Sequence, residues 1–456
     1  MRRSLFLGSV LSWIGVSFLA ATVAACGSST DAADNPASSG AAGHSQDGDG
    51  ATGGGGEIGT GGTVGTGGST PGSAGATGSG GAMRGSGGNS GAAGATGQGG
   101  TASGSGDAGP GDSGAAHVVG KCDSLSAVGT WDSITPPGVS LSTTGVFNTG
   151  VNAFAFDPNN TATLYLGTCA QGIYKSTDCG ATWVHINTGV NGPGLNDGRN
   201  WTLEVDPIDS SVYVNSGYGG PGGVLKSTNG GVDWTNLFPA GSEFDKLAGN
   251  FVEFIAIDPN DHKHLLVSAH NSCTGAAAGG GTCFANTTDG GATWRMIKGT
   301  SEMYFEGLTQ TIIDAKTWLV FTNGIFVTTD AGATWTKTPV PATTTNGQLY
   351  KHKDGNYYLS ADYGLAKSSD GISWSQLRGT PNSASLAADG TTMFTSQRQA
   401  DAANRYHVST GDPAVWTVYP SPPAMANGAW LMRYDRDHNL LYTSNEIGGF
   451  WRIKTK

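Results

Sequence analysis

From about residue 118 to the C-terminus, short apolar runs alternate with polar turn residues, a pattern that predicts many short β-strands. In the first repeat we predict strands a, b and c at 151–156, 163–167 and 172–175, with a turn at 157–160 between the first two. A fourth strand, d, follows from residue 183. Helical periodicity is nearly absent, so this region is predicted to be all-β.

A polar octet closes one hairpin in each repeat. Its copies lie at 176–183, 227–234, 287–294 and 328–335, with a shortened one at 368–374 and a degenerate one at 409–416. Ser, Thr and Asp side chains accept hydrogen bonds from nearby backbone N–H groups, and Gly supplies the positive φ that tight turns need. The octet is therefore predicted to be a turn, and its final Trp begins the returning strand.

The spacing of the octets predicts how the strands are grouped. Consecutive octet Trp residues, at 183, 234, 294, 335, 374 and 416, are 51, 60, 41, 39 and 42 residues apart. A repeat near forty residues with four strands is typical of a β-propeller blade. Blades are predicted to begin near residues 151, 199, 251, 305, 347, 384 and 428, which makes seven.

The seventh repeat has residues for three strands only, so the strand at 130–134 is predicted to complete it and close the ring. The predicted fold is a single seven-bladed β-propeller of four-stranded antiparallel blades, closed by an N-terminal strand. The competing count has six blades and a separate flap at 121–150, and it leaves the C-terminal strands unpaired.

The octet resembles the Asp-box, or BNR, repeat, with the pattern S-x-D-x-G-x-T-W. This repeat occurs in sialidases, xyloglucanase-type glycoside hydrolases, sortilin-like receptors and a photosystem assembly factor. The resemblance implies a propeller and leaves the function open, because these families do unrelated things. Two departures from these families lower the expectation of their enzyme activities. The chain has no Arg-Ile-Pro segment of the sialidase kind. Xyloglucanase-type enzymes place their catalytic carboxylates in a cleft between two propellers, whereas one propeller is predicted here.

Residues 1–25 are predicted to be an export signal, with Arg2 and Arg3 before an apolar run. The ending Val23-Ala24-Ala25-Cys26 resembles a bacterial lipobox, which implies that Cys26 is lipidated and the protein is anchored to the cell envelope, at the outer membrane. The alternative is an ordinary cleaved signal that leaves a free Cys. Residues 26–117, rich in Gly and Ser, are predicted to be a disordered tether, and 118–456 form the propeller domain.

Charge narrows the range of partners. Loss of the two signal arginines changes the formal charge from −11 to −13. An acidic exported domain is a poor partner for nucleic acid or anionic lipid, so contact with the membrane is predicted only through the N-terminal lipid. The predicted partner is a carbohydrate or protein ligand at the cell surface. No cofactor is expected, and no Cys/His spacing predicts a metal site.

Cysteines in an exported protein are expected to pair where geometry allows. Cys273 and Cys283 bracket a loop and are predicted to form one disulfide. Cys122 and Cys179 are predicted to form another across the ring closure. Cys169 is then left over as a free thiol.

Strand direction sorts the loops onto two faces. The octets and the Asp-Pro turns share one, the octet face, whereas the longer b–c and d–a connections share the opposite one, the long-loop face, where function is expected. Most polar and aromatic residues of that face are expected to be solvated or to support only their own loops, and the alternative for Trp201 is packing between blades. The predicted ligand-binding residues are Arg199, Trp201, Tyr218, Glu253, His270, Tyr304 and Trp430.

The leading hypothesis from the sequence is a surface lipoprotein whose propeller binds a carbohydrate or protein without catalysis. One alternative is a glycoside hydrolase or polysaccharide lyase with Glu253 and Glu306, or His270 and Arg199, at the channel mouth. Hydrolysis requires carboxyl groups roughly 5–5.5 Å or 6.5–9.5 Å apart. The other alternative is an assembly or scaffold factor.

Overall fold

The structure is a computed structural model that describes residues 116–142, 150–247, 252–270, 273, 282–304, 309–340, 348–361, 364–383, 385–397 and 405–456. The predicted signal peptide, Cys26, Glu306 and nearly all of the predicted tether lie outside the described residues.

The described residues form seven four-stranded antiparallel sheets, which are the blades. The seventh blade combines the N-terminal strand β1 (Trp131–Ser133) with the last three strands of the chain. Blade one consists of β2 (Val151–Asp157), β3 (Asn160–Thr168), β4 (Ile173–Ser176) and β5 (Val184–His185). Blade two consists of β6 (Leu203–Val205), β7 (Val212–Asn215), β8 (Val224–Ser227) and β9 (Thr235–Asn236). Blade three consists of β10 (Val252–Asp258), β11 (Asp261–Ala269), β12 (Cys283–Thr287) and β13 (Arg295–Lys298).

Blades four to seven follow the same order from the inside outward. Blade four consists of β14 (Thr309–Ile312), β15 (Trp318–Phe321), β16 (Ile325–Thr328) and β17 (Thr336–Lys337), and blade five of β18 (Leu349–Lys351), β19 (Tyr357–Ala361), β20 (Gly364–Ser368) and β21 (Trp374–Leu377). Blade six consists of β22 (Ser385–Ala388), β23 (Thr392–Ser396), β24 (Tyr406–Thr410) and β25 (Thr417–Tyr419). Blade seven consists of β26 (Leu431–Asp435), β27 (Leu440–Ser444), β28 (Phe450–Lys454) and, outermost, β1.

The N-terminal strand closes the ring, as the sequence predicts. β1 pairs antiparallel with β28, and Asp132 lies directly opposite Arg452 in the ladder. Hydrogen bonds from Gly129 N–H to the Lys454 carbonyl (2.8 Å) and from Ile134 N–H to the Phe450 carbonyl (2.8 Å) extend the pairing. The β28 edge is therefore covered, and the fold prediction of seven blades is confirmed.

Packing between blades supplies the core. Buried apolar side chains of the described residues form seven clusters, one at each junction between neighbouring blades. At the junction of blades seven and one, the Phe154 ring lies 4.8 Å from that of Phe450 and 6.3 Å from that of Tyr442. Such contacts make each blade depend on both neighbours.

The octet turns are held by a repeated set of hydrogen bonds. At 328–335, the Thr334 N–H (2.8 Å) and hydroxyl (2.6 Å) donate to the Asp330 carboxylate, and the Thr328 hydroxyl donates to it as well (2.7 Å). Gly332, at φ +81°, donates its N–H to the Thr328 oxygen at 2.9 Å. The carboxylate of Asp289 is bound in the same way. The octet Asp therefore has a complete structural role in the turn.

These bonds predict an acid-dependent loosening of the octet turns. Hydrogen bonds from the following Thr side chain and backbone lower the pKa of Asp289 and of Asp330 to about 2 from 3.8. Because the folded pKa is depressed, the contribution to stability is present above the unfolded value and is lost as pH falls through about 2. We expect Thr334→Val to raise the pKa of Asp330, measured by carboxyl ¹³C NMR, with Asp289 unchanged as the internal control. An unchanged Asp330 titration would contradict this account.

Disulfides link Cys122 to Cys179 and Cys273 to Cys283, with Cα separations of 5.0 and 4.9 Å. Cys169 is disulfide-bonded as well, and none of the described cysteines is free. The prediction of a free thiol at Cys169 is therefore wrong. It rested on counting the cysteines left after two pairs had been assigned, which carries no information about the neighbourhood of the Cys169 sulfur.

Two short helical segments interrupt the β-structure, a 3₁₀ turn at Pro193–Asn196 and α1 at Glu243–Leu247. Both lie in connections between blades. Within the part of the chain that the structure describes, no helix has the length and hydropathy of a membrane-spanning segment.

Candidate functional site

The innermost strands of all seven blades surround a central cavity of about 210 Å³. Each blade turns the edge of its innermost strand to the channel, so consecutive residues of these strands contribute to the lining. In β6, Glu204 is partly exposed between buried Leu203 and Val205. β6 runs towards the octet face, so Trp201, which precedes it and also lines the cavity, marks the long-loop end of the channel.

Four predicted residues meet at this end of the channel, and we call them the mouth cluster: Arg199, Trp201, Tyr218 and Trp430. The Arg199 guanidinium carbon lies 4.2 Å from the centroid of the Trp201 ring and 5.9 Å from that of Tyr218. The Trp201 ring centroid lies 5.9 Å from that of Trp430 and 6.3 Å from that of Tyr218. The cluster therefore joins blade two to blade seven.

The backbone fixes the cluster in place. The Arg199 N–H donates to the Gly217 carbonyl at 2.7 Å, and the Gly217 N–H donates back to the Arg199 carbonyl at 3.0 Å. Tyr218 follows with φ +52°, in the left-handed region that non-glycine residues rarely adopt and that is enriched at functional sites. This exchange and bend bring the Tyr218 ring towards Arg199 and Trp201.

The mouth cluster suits an amphipathic ligand. Trp201 and Tyr218 are partly exposed, whereas Arg199 and Trp430 are buried behind them. Flat aromatic rings bury large apolar area at little entropic cost, and a guanidinium held against them offers several donors in a fixed plane. Sugars have apolar ring faces, so a glycan matches the exposed aromatic rings that Arg199 holds in place.

The other predicted residues have different surroundings. Glu253 is only 4% exposed, and its backbone carbonyl accepts hydrogen bonds from the Thr202 hydroxyl (3.0 Å) and the Asn215 amide (2.7 Å). Its neighbour Phe254 lines the cavity, and Glu253 is not among the lining residues. His270 is buried at the end of β11, and Tyr304 is 49% exposed beside blade four. The predicted partner of Glu253, Glu306, lies outside the described residues.

The channel contains an ion pair that the sequence analysis missed. The Glu204 Oε1 and Arg433 Nη2 atoms are 2.5 Å apart, and the two side chains are 27% and 22% exposed. They are the charged residues among those that line the cavity. In the sequence, this ion pair is indicated by a charged residue in the middle of a mostly apolar innermost strand.

Two tyrosines of the cavity wall remain neutral near physiological pH. Burial raises the pKa of Tyr434 to about 12 and also raises the pKa of Tyr350. Since Glu204 and Arg433 carry opposite charges, the lining has no net charge.

On the octet face, side-chain atoms of Asp206, Asp209 and His262 lie within 4.8 Å of one another. The Asp206 carboxylate accepts hydrogen bonds from the Ile208 N–H (2.8 Å) and the Asp209 N–H (3.3 Å), and it lies 2.9 Å from His262 Nδ1. These bonds explain the cluster as part of the turn after β6.

Comparison with known proteins identifies two curated relatives. The chain is 27% identical over 263 residues to a xyloglucanase of Hypocrea jecorina. This match covers 54% of this chain and 26% of the relative. The chain is 25% identical over 265 residues to a xyloglucanase of Paenibacillus, which covers 49% and 24%. The chain thus spans about a quarter of the length of the curated relatives it matches. No family model matches the sequence.

Among solved structures, YCF48 bound to D1 peptide superposes with a TM-score of 0.50 at 13% identity. The match covers 74% of this chain and 100% of that one. At this identity the likeness concerns the fold alone, and it agrees with the seven-bladed propeller.

Proposed function

We propose that this protein degrades a glycan of the xyloglucan class, which it binds at the mouth cluster. The observation that carries the proposal is the stack of Arg199 on Trp201, beside Tyr218 and Trp430, at the long-loop end of the channel. The two curated relatives, both xyloglucanases, support a glycan substrate. They favour the degrading alternative over the leading hypothesis of non-catalytic binding.

In this proposal, Trp201 and Tyr218 pack against the apolar faces of sugar rings, and the buried Arg199 holds the two rings in place. Hydrolysis also needs two carboxyl groups. The proposal keeps the predicted pair of Glu253 and Glu306, and it requires the Glu253 side chain, which is buried outside the cavity lining, to become accessible when substrate binds.

Non-catalytic glycan binding is the second candidate, because the mouth cluster consists of aromatic rings and a cation. Turnover separates the two functions: we expect the protein to release reducing ends from xyloglucan and Glu253→Gln to abolish this release while binding is kept. Binding without turnover would favour the second candidate.

Replacing Trp201 with alanine is expected to weaken xyloglucan binding at least tenfold, because buried aromatic anchors dominate interface energetics. Binding is measured by isothermal titration calorimetry, and Trp201→Phe should retain most of the affinity. Trp416→Ala, on the octet face, is the matched control. Unaltered affinity in Trp201→Ala, or no glycan binding by the unmodified protein, would contradict the proposed function.

The division into a lipoprotein signal (1–25), a tether (26–117) and the propeller (118–456) stays a proposal. The described chain enters the propeller on the octet face, where the Val118 N–H donates to the Asn159 carbonyl (2.7 Å). Mass spectrometry of the mature N-terminus and of the disulfides would test this: any mature N-terminus other than a lipidated Cys26, or a disulfide between Cys26 and Cys169, would contradict it.

A further inference from the structure

The cavity continues the mouth cluster into the propeller. Trp201 belongs to both, because its ring packs against Arg199 at the mouth and also lines the channel. Deeper in the channel, one residue before the end of β6, Glu204 faces Arg433. A ligand held at the mouth cluster therefore has a path to this ion pair.

The channel wall combines two kinds of surface. Phe254, Leu349 and Leu431 line it and are partly exposed, so they offer apolar contact. The Glu204 carboxylate accepts hydrogen bonds and the Arg433 guanidinium donates them. An acceptor and a donor side by side in an apolar wall match the neighbouring hydroxyls of a sugar ring.

The charge of the pair selects among sugars. Glu204 and Arg433 neutralise one another, and they are the charged residues of the lining. An acidic sugar would bury its carboxylate against a pair with no net charge, which costs free energy because Arg433 is already paired with Glu204, whereas a neutral sugar buries no charge there. The wall therefore favours a neutral residue over a uronic acid.

The size of the channel limits what can enter. Its volume of about 210 Å³ is below the roughly 300–1,000 Å³ of pockets that hold drug-sized ligands. That leaves room for one sugar ring. A glycan chain lying across the mouth contacts Trp201 but cannot reach Glu204, so only the end of a chain can fill the channel.

We propose that the central channel is a terminal subsite for one neutral sugar residue, so that a glycan chain binds end-on between Glu204 and Arg433. This inference rests on the proposed function and specifies how the same site holds its substrate. It predicts recognition of chain ends rather than of chain interiors.

The first test is the stoichiometry of the unmodified protein on xyloglucan-type chains of graded length, measured by calorimetry under conditions without turnover. On chains trimmed of their side branches, end-on binding predicts at most one protein per chain at every length. Binding along the chain predicts a number of proteins that grows with length, and this result would overturn the inference while leaving the proposed function intact. No binding at any length would instead overturn the proposed function.

The second test is Glu204→Gln, which keeps the shape and removes the charge. We expect about a tenfold loss of affinity for a short xyloglucan oligosaccharide, the usual scale for a hydrogen bond to a charged group. Asp209→Asn is the matched control, since Asp209 faces Lys226 at 3.8 Å on the octet face. Unaltered affinity in a folded Glu204→Gln variant would overturn the role of the ion pair. The stoichiometry test needs no variant, so it decides the inference even if Glu204→Gln does not fold.

Discussion

Replacing Arg452 with methionine is expected to lower the free energy of unfolding by about 3–5 kcal/mol, the range for breaking a buried charged pair from one side. Arg452 is 2% exposed. Its guanidinium donates to the carbonyls of Cys179 (2.7 Å) and Ser124 (2.8 Å), and its Nε lies 3.3 Å from the Asp132 carboxylate. One side chain thus ties the C-terminal strand to the N-terminal segment and to blade one. Methionine keeps much of the volume and none of the donors.

Urea unfolding of the two proteins measures the loss. Arg295→Met is the matched control, because Arg295 is exposed and donates to the Ala331 carbonyl at 3.1 Å; it should change stability by less than about 1 kcal/mol. Adding Asp132→Asn to Arg452→Met should recover part of the loss, since it removes the carboxylate left without its cation. A loss in Arg452→Met no larger than in Arg295→Met would show that the ring closes without this residue.

The ring closure could be predicted from the sequence because its signals are local. Each octet fixes a turn through bonds among residues at most four apart, such as Thr334 to Asp330. Each octet Trp then marks where an outer strand begins, and counting these marks reveals that the last blade lacks a strand. The segment around Trp131 has the same character and takes that place.

The orientation of the candidate carboxylates could not be predicted in this way. Strict alternation of side chains fails where a strand carries a bulge. In β10 the register shifts between Val252 and Ile255, and Glu253 lies within that shift. The sequence places Glu253 at the channel mouth, but the residues of this segment that line the cavity are Phe254 and Ile255. A bulge of this kind has no composition signal in the strand itself.

The channel ion pair was missed for a different reason. Glu204 and Arg433 are 229 residues apart and belong to blades two and seven. Their contact crosses the first blade and depends on the curvature of the closed ring. The same holds for the contact of Trp201 with Trp430. Position along a strand can be inferred from sequence, whereas contact across the channel depends on the complete ring.

Removing the disulfide at the closure, with Cys122→Ser and Cys179→Ser together, is expected to lower the free energy of unfolding by about 2–4 kcal/mol. The bond joins residues 57 apart in sequence, whereas Cys273–Cys283 joins residues 10 apart. Loop-closure entropy grows with loop length, so the corresponding pair of changes at 273 and 283 should cost roughly 1.5 kcal/mol less. Equal losses would contradict this explanation.

Backbone conformation at Cys179 gives a second and sharper comparison. Cys179 has φ +62°, and the matching octet positions Gly230 and Gly290 have φ +72° and +73°. Glycine adopts this region without steric cost, so Cys179→Gly should relieve strain that Cys179→Ser keeps. With Cys122→Ser in both proteins, the glycine variant is expected to be more stable by about 0.5–1 kcal/mol. If the serine variant proved equally stable, the octet of blade one would hold this bend without strain, and the disulfide would act through the unfolded chain alone.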